Sequence, residues 1–347
     1  MTEPELWRDL TDPRRATTRG DLELGLKEPE FENLDIPERF GPVTVRVDDH
    51  KIKRFAFTQD DFHPWHLEAS PFDGRRVAHA ALLGNDLVQL FTTVYAASRV
   101  VGLHTEEQIW FDSPVFLGEA VTLTGTYTEA YERRGQGYVV MEATAVGEDG
   151  RSILRHRGVE ILRTRPGDVA GRGSAAAAPA ERRVTGDVPA NAAPFDPSHP
   201  AIGQALPTLA KTITVEQAAV FSRVGEYVRN IHNDLDVAQA GGLTVPIVQG
   251  QQQYGVLAEM LTRAFGADWF TDGWLRAKFL TTVDVHEPIE AGGVVTGVTD
   301  GRVELDVWVR RADGALSAAG WASGPARLNH NSRGMALQNN LPRKGSQ

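Results

Sequence analysis

The chain of 347 residues contains no cysteine. That absence excludes disulfides, thiolate nucleophiles and cysteine-ligated metals, and it fits a reducing compartment. No apolar run approaches the length of a membrane span, and the opening Met1-Thr2-Glu3-Pro4-Glu5-Leu6-Trp7 is acidic and lacks the apolar core of a secretion signal. A cytoplasmic location, with no membrane partner, is therefore expected. Positive charge is in deficit, with a formal net charge of -10, which speaks against a nucleic-acid partner. The Gly-x-Ser-x-Gly pattern of a nucleophile elbow is missing, and the glycine-rich stretches lack the strand-loop-helix context of a nucleotide cradle.

What is present is ordinary globular material: 41% hydrophobic and 24% charged residues, in a chain long enough for two cores. Two segments in opposite halves place a histidine shortly after an acid and ahead of a helix. The first runs from Phe57 to Glu68 through Asp61, His63 and His66; the second runs from Ser222 to Asp234 through Glu226, Arg229, Asn230 and His232. A repeat of this length reads as duplication of a whole domain.

The order of elements repeats around these segments. Residues 1–40 form a polar lead-in broken by prolines. In a first domain, 41–164, strand patterns at Val43–Val47 and Ile52–Thr58 precede the motif. A helical pattern over Val77–Ser98 follows it, then four strand patterns ending near Leu162. Residues 165–200, rich in Ala, Gly and Pro, read as a linker. The second domain, 201–328, repeats the plan with a helix from about Gln249 to Phe265, and residues 329–347 read as a disordered tail. Each half is thus an α+β unit whose antiparallel sheet needs its helix to cover the apolar face, and the two pack most simply as a pseudo-dimer.

The motifs resemble those of the MaoC-like R-specific enoyl-CoA hydratases, whose signature is Ser-Gly-Asp-x-Asn-Pro-x-His-x-Asp followed by a His-Gly pair at the start of the central helix. In the first half Asp61, Pro64 and His66 match in register and Glu68 keeps an acid. Asp60 and His63 replace the usual glycine and asparagine, the connector is four residues short, and Ala80 follows His79 in place of glycine. In the second half His232 and Asp234 match, and Gly250 lies eighteen positions after His232. Glu226 stands in for the aspartate only if one residue is inserted.

The resemblance implies two hotdog domains, each an antiparallel sheet wrapped around a central helix. It implies a hydratase or dehydratase acting on an acyl thioester of coenzyme A or an acyl carrier protein, with no cofactor. Asp61 and His66 are the expected catalytic pair, with Glu226 and His232 as the alternative. The chemistry wants such residues: a carboxylate beside an imidazole can hold and deprotonate one water, while N–H groups at a helix start stabilise the enolate-like oxygen. Ala80 and Gly250 mark those helix starts. His63, Arg229, Asn230 and Gln249 suggest contacts to a polar or substituted acyl group. A homodimer of pseudo-dimers is the expected assembly.

Other readings of the same residues stand beside this one. Asp61 can serve as a turn cap and His66 as a core histidine. His63 and His66 with Asp60 and Asp61 would make a poor metal site, because no third histidine has telling spacing. A tailoring dehydratase with a non-standard substrate, or a hotdog protein that binds acyl thioesters or a partner without catalysis, would carry similar signatures.

Overall fold

A computed structural model describes residues 25–96, 102–133, 135–163, 182–222 and 229–327. One ten-stranded antiparallel sheet in the order β1-β3-β4-β5-β2-β7-β10-β9-β8-β6 runs through both halves. The first half supplies β1 (Glu38–Arg46), β2 (Leu103–Phe111), β3 (Ala120–Arg133), β4 (Gln136–Gly147) and β5 (Ser152–Arg163). The second supplies β6 (Leu209–Thr212), β7 (Gly273–Phe279), β8 (Pro288–Thr299), β9 (Arg302–Arg311) and β10 (Leu316–Pro325). Strand for strand the two orders are the same, so a pseudo-two-fold passes between β2 and β7, where Trp110 pairs with Trp274. Joining the halves there pairs two strands that would otherwise be open edges.

The internal symmetry extends to single bonds. The Ala78 N–H donates to the Val115 carbonyl at 3.0 Å and, equivalently, Val248 to Val283 at 2.8 Å. The Gly118 N–H donates to Val47, and His286 to Ile213. Arg151 pairs with Glu119 where Arg311 pairs with Glu287. These repeats are what a duplicated hotdog predicts.

The described residues form seven α-helices: α1 (Asp49–Gln59), α2 (Pro64–Leu67), α3 (Leu82–Val88), α4 (Val215–Phe221), α5 (Leu235–Ala240), α6 (Gly250–Phe265) and α7 (Trp269–Asp272). The long central helix of the second half, α6, is buried on nearly every face, as a helix enclosed by a sheet must be. One continuous core joins Leu83 and Leu87 of α3, Leu257 and Leu261 of α6, and inward residues of both sheet halves such as Val121 and Val307.

Two sequence expectations are corrected here. Residues Ile52–Thr58 are helix, not strand. Asp48 caps α1 by accepting from the Lys51 N–H at 2.7 Å, and Ile52, Phe55 and Ala56 share its buried face at helical spacing. The helix expected over Val77–Ser98 is shorter. Val77 bridges Phe116 as extended chain, α3 begins only at Leu82, and it tightens to a 3-10 turn over Gln89–Thr93. Thr92 and Thr93 favour that turn by donating their hydroxyls to the carbonyls of Gln89 and Leu90. Beyond it Val94 and Ala96 bond backbone to backbone with Lys27.

The described end of the segment expected as a linker lies on the second half: Arg182 forms a two-pronged ion pair with Asp306, and Val184 packs with Trp308 and Ala319. The tail expected at 329–347 falls outside the described residues.

Candidate active site

The site grows out of the C-terminus of α1. Asp60 ends that helix in the left-handed region, φ 50°, the reason a glycine is usual there and a short acid is tolerated. The Asp61 N–H turns back to the Ala56 carbonyl at 2.9 Å. The last carbonyls of a helix need outside donors, and here the second half provides them. Gln217 Nε2 reaches the Phe57 carbonyl at 2.8 Å, Gln252 Nε2 the Thr58 carbonyl at 3.1 Å, and Lys211 Nζ the Asp60 carbonyl at 2.5 Å. Gly255 of α6 permits this close approach, since a Cβ there would stand 2.4 Å from Gln59 Oε1.

Asp61 is buried with His66 and His79 around it. Its Oδ2 lies 3.2 Å from His66 Nε2 and 3.7 Å from His79 Nε2, while Oδ1 accepts the His63 N–H at 3.2 Å. His66 sits in α2, which Pro64 opens and which His63 caps by accepting the Trp65 N–H on Nδ1. His66 Nδ1 is 2.8 Å from the Val77 carbonyl and must donate to it. With that proton committed, Nε2 can bond a carboxylate only if the pair shares one further proton. Asp61 and His66 thus form a site for a proton shared between two bases.

His79 has the opposite arrangement. Its Nδ1 accepts the Ala81 N–H at 3.1 Å, so the neutral ring carries its proton on Nε2, which has no hydrogen-bond partner and faces Asp61. Burial pushes His79 down to about 3, keeping it neutral near pH 7. Burial also pushes the Asp61 carboxyl up, but the His66 hydrogen bond and the His79, His66 and Lys211 charges outweigh it and hold the group well below the usual carboxylate range. Because His79 is neutral near pH 7, the His66 bond and the Lys211 cation keep the carboxylate ionised there.

The helix start lies alongside. The Ala80 N–H has no acceptor among the described residues, the condition for a donor aimed at a substrate oxygen. A cavity of about 10 Å³, room for one water, lies against His79 and Ala80 between Leu83, Phe111, Leu154 and Phe270. Its walls are apolar apart from the histidine and Ser113.

The alternative site is differently built. His232 Nδ1 lies 2.8 Å from the Ile247 carbonyl, and burial pushes this ring down to about 4, against the raising effect of that bond. Glu226, its expected acid, falls outside the described residues. Gly250 is pressed by Phe279, whose ring a Cβ would meet at 3.0 Å. Arg229 is exposed and bound to Asp234 and Asp236, and Asn230 Oδ1 accepts the His232 N–H at 2.8 Å. Gln249 precedes α6 and donates its N–H to Gln252 Oε1. His63, Arg229, Asn230 and Gln249 thus each have a partner in their own turn or helix start.

Sequence reasoning missed Lys211, Glu259, Gln217 and Gln252, which brace Asp61 from the other half, and it placed His79 only at the helix start. No local spacing announces such contacts across halves.

No protein-family model matches the chain, and no curated protein matches it in sequence. Solved structures do. A MaoC-like dehydratase aligns with TM-score 0.67 at 17% identity over 86% of this chain and 100% of that one. A putative MaoC domain protein dehydratase from Chloroflexus aurantiacus aligns with TM-score 0.61 at 14% identity over 85% and 96%. A Mycobacterium tuberculosis protein described as having a double hotdog fold aligns with TM-score 0.57 at 15% identity over 86% and 98%. The chain thus has the double hotdog architecture found in MaoC-like dehydratases.

Proposed function

We propose that the protein is a hydro-lyase that adds water to a 2-enoyl thioester, or removes it from a 3-hydroxyacyl thioester, with coenzyme A or an acyl carrier protein as the handle. The observation that carries this reading is Asp61 Oδ2 placed between His66 Nε2 and His79 Nε2, beside the free Ala80 N–H. The dehydratases with this fold add support by analogy.

In the hydration direction a water held against the Asp61 carboxylate loses a proton to it as the water oxygen bonds the β-carbon, and the proton the pair already shares is the one available for the α-carbon. The π electrons move onto the thioester oxygen, which the Ala80 N–H stabilises. The oxyanion then collapses, and the pair returns a proton to the α-carbon, so no external acid or oxidant is needed. His79 Nε2–H supplies a second, neutral donor beside the reacting water.

Leu83, Phe111 and Phe270 make an apolar wall to the one-water cavity beside His79 and Ala80. The proposed acyl group is polar or substituted, a choice favoured by the buried, unpartnered Gln251 Nε2 and Gln253 Oε1 of α6. The test is the fall in 2-enoyl thioester absorbance with crotonyl, branched and hydroxylated or dicarboxylic acyl-CoA. Turnover that vanishes in Asp61→Asn supports the reading; no turnover on any thioester sinks it in favour of a binding protein or a dehydratase of another substrate.

A further inference from the structure

The first half's site leans on a buried ion pair that belongs to the second half. Lys211 of β6 and Glu259 of α6 are 4% and 2% exposed in their side chains, and Lys211 Nζ lies 2.9 Å from Glu259 Oε2. The same ammonium donates to the Asp60 carbonyl at 2.5 Å, one peptide from the Asp61 carboxylate. Glu259 is anchored in turn by Arg263, one helical turn on. A buried ion pair brings little net stability over apolar residues of the same size, so its presence asks for another reason.

The pair is one-sided. The pseudo-two-fold that relates Val47 to Ile213 by their matching backbone bonds puts Val45 where Lys211 stands, and Val45 pairs with Val121 as Lys211 pairs with Ile289. No cation therefore occupies the equivalent strand position behind the second half's motif. Among the described residues, this strand cation stands behind the half that carries Asp61 and His66.

We propose that Lys211 is a positioning residue for the first half's site, its ammonium, held by Glu259, fixing the Asp60 carbonyl and thereby the Asp61 carboxylate against His66 and His79. This rests on the hydro-lyase reading. The groups around Asp61 are His66, His79 and His63 from its own half, with Lys211, Glu259 and Arg263 from β6 and α6. Lys211 is the cation among them that touches the Asp61 loop directly, and its removal leaves Glu259 as an opposing charge.

The experiment compares wild type, Lys211→Arg, Lys211→Met and the double variant Lys211→Met/Glu259→Leu. It reads the pH profile of kcat/KM and, independently of turnover, the titration of Asp61 by carbon-13 carboxylate NMR. The double variant removes both charges together and is expected to fold even where Lys211→Met does not. In Lys211→Met the acid limb and the Asp61 titration should move up by about one pH unit, the scale of one nearby charge, and in the double variant by less, because the opposing Glu259 charge is removed with it. Their kcat should fall roughly tenfold with KM less affected, as for loss of an oriented group. Lys211→Arg should recover most of both. A folded double variant with wild-type kcat and wild-type Asp61 titration overturns the proposal. If wild type turns over no thioester, the hydro-lyase reading fails by itself, and the carboxylate titration still decides whether Lys211 governs Asp61.

Discussion

His66 and His232 are held in the same way in the two halves: each donates its Nδ1 proton to a backbone carbonyl, Val77 or Ile247, at 2.8 Å. Duplication preserved the orientation of the ring, and the surroundings then diverged. His66 Nε2 meets Asp61, and beside Asp61 stand a third imidazole and a lysine from the other half.

His79 is expected to act as a neutral donor rather than a base, since its Nδ1 is already occupied by the Ala81 N–H. His79→Leu keeps apolar packing against Phe55, whose ring lies 5.0 Å away. This variant should lose about 10²-fold in kcat, the scale for one lost transition-state donor, with a smaller change in KM. A kcat unchanged within twofold would remove His79 from the reaction.

Stability should decline as the solution is acidified. Burial pushes His79 down to about 3 and His232 down to about 4 in the folded chain, whereas both titrate near about 6.5 when unfolded. Between those values the unfolded chain binds protons that the folded chain refuses, so stability is full above about 6.5 and is lost as pH falls below it. Asp61, held below its unfolded value, adds a loss in the same direction below about pH 4. Each histidine contributes at most about 1.4 kcal/mol per pH unit. Urea unfolding at pH 7, 6 and 5 checks this, and His232→Leu should flatten the slope; a stability constant over that range would contradict it.

The Lys51–Asp86 pair ties α1 to α3 at 2.8 Å with both side chains buried. Lys51→Met, which takes this cation from a buried carboxylate, is expected to destabilise by about 3–5 kcal/mol, while Lys51→Met/Asp86→Leu should recover most of that. Equal destabilisation by the single and double variants would show that the pair itself is not the cause.

Asp60 offers a backbone test. Its φ of 50° favours glycine and penalises a β-branched side chain. Asp60→Gly should leave stability within about 1 kcal/mol of wild type, whereas Asp60→Val should cost about 1–3 kcal/mol and displace Asp61. Equal thermal midpoints for the two would argue that the turn relaxes.

The legible parts of the chain were those whose information is local. Val43–Val47 alternates and is strand; Gln249 to Phe265 carries enough apolar residues at helical spacing to read as α6. Asp61 and His66 could be paired from sequence because only four residues of turn and helix lie between them. In α1, β-branched and aromatic residues masked a helix whose decisive sign was the Asp48 cap. Nothing local showed that Lys211, in a short strand, and Glu259, in the long helix, would meet behind Asp61. Such charges read as solvent-facing until the two halves are folded together. Arg229 and Asn230, expected to contact the acyl group, also bond within their own turn, to Asp234 and to the His232 N–H.

The central claim is that hydration occurs at Asp61 and His66 in the first half. Its most direct test is kcat on a shared 2-enoyl thioester for His66→Gln and His232→Gln, both checked for folding. Loss of about 10²–10⁴ in the first, with the second within about threefold of wild type, is the expected result. The reverse pattern would move the chemistry to the second half and contradict this assignment.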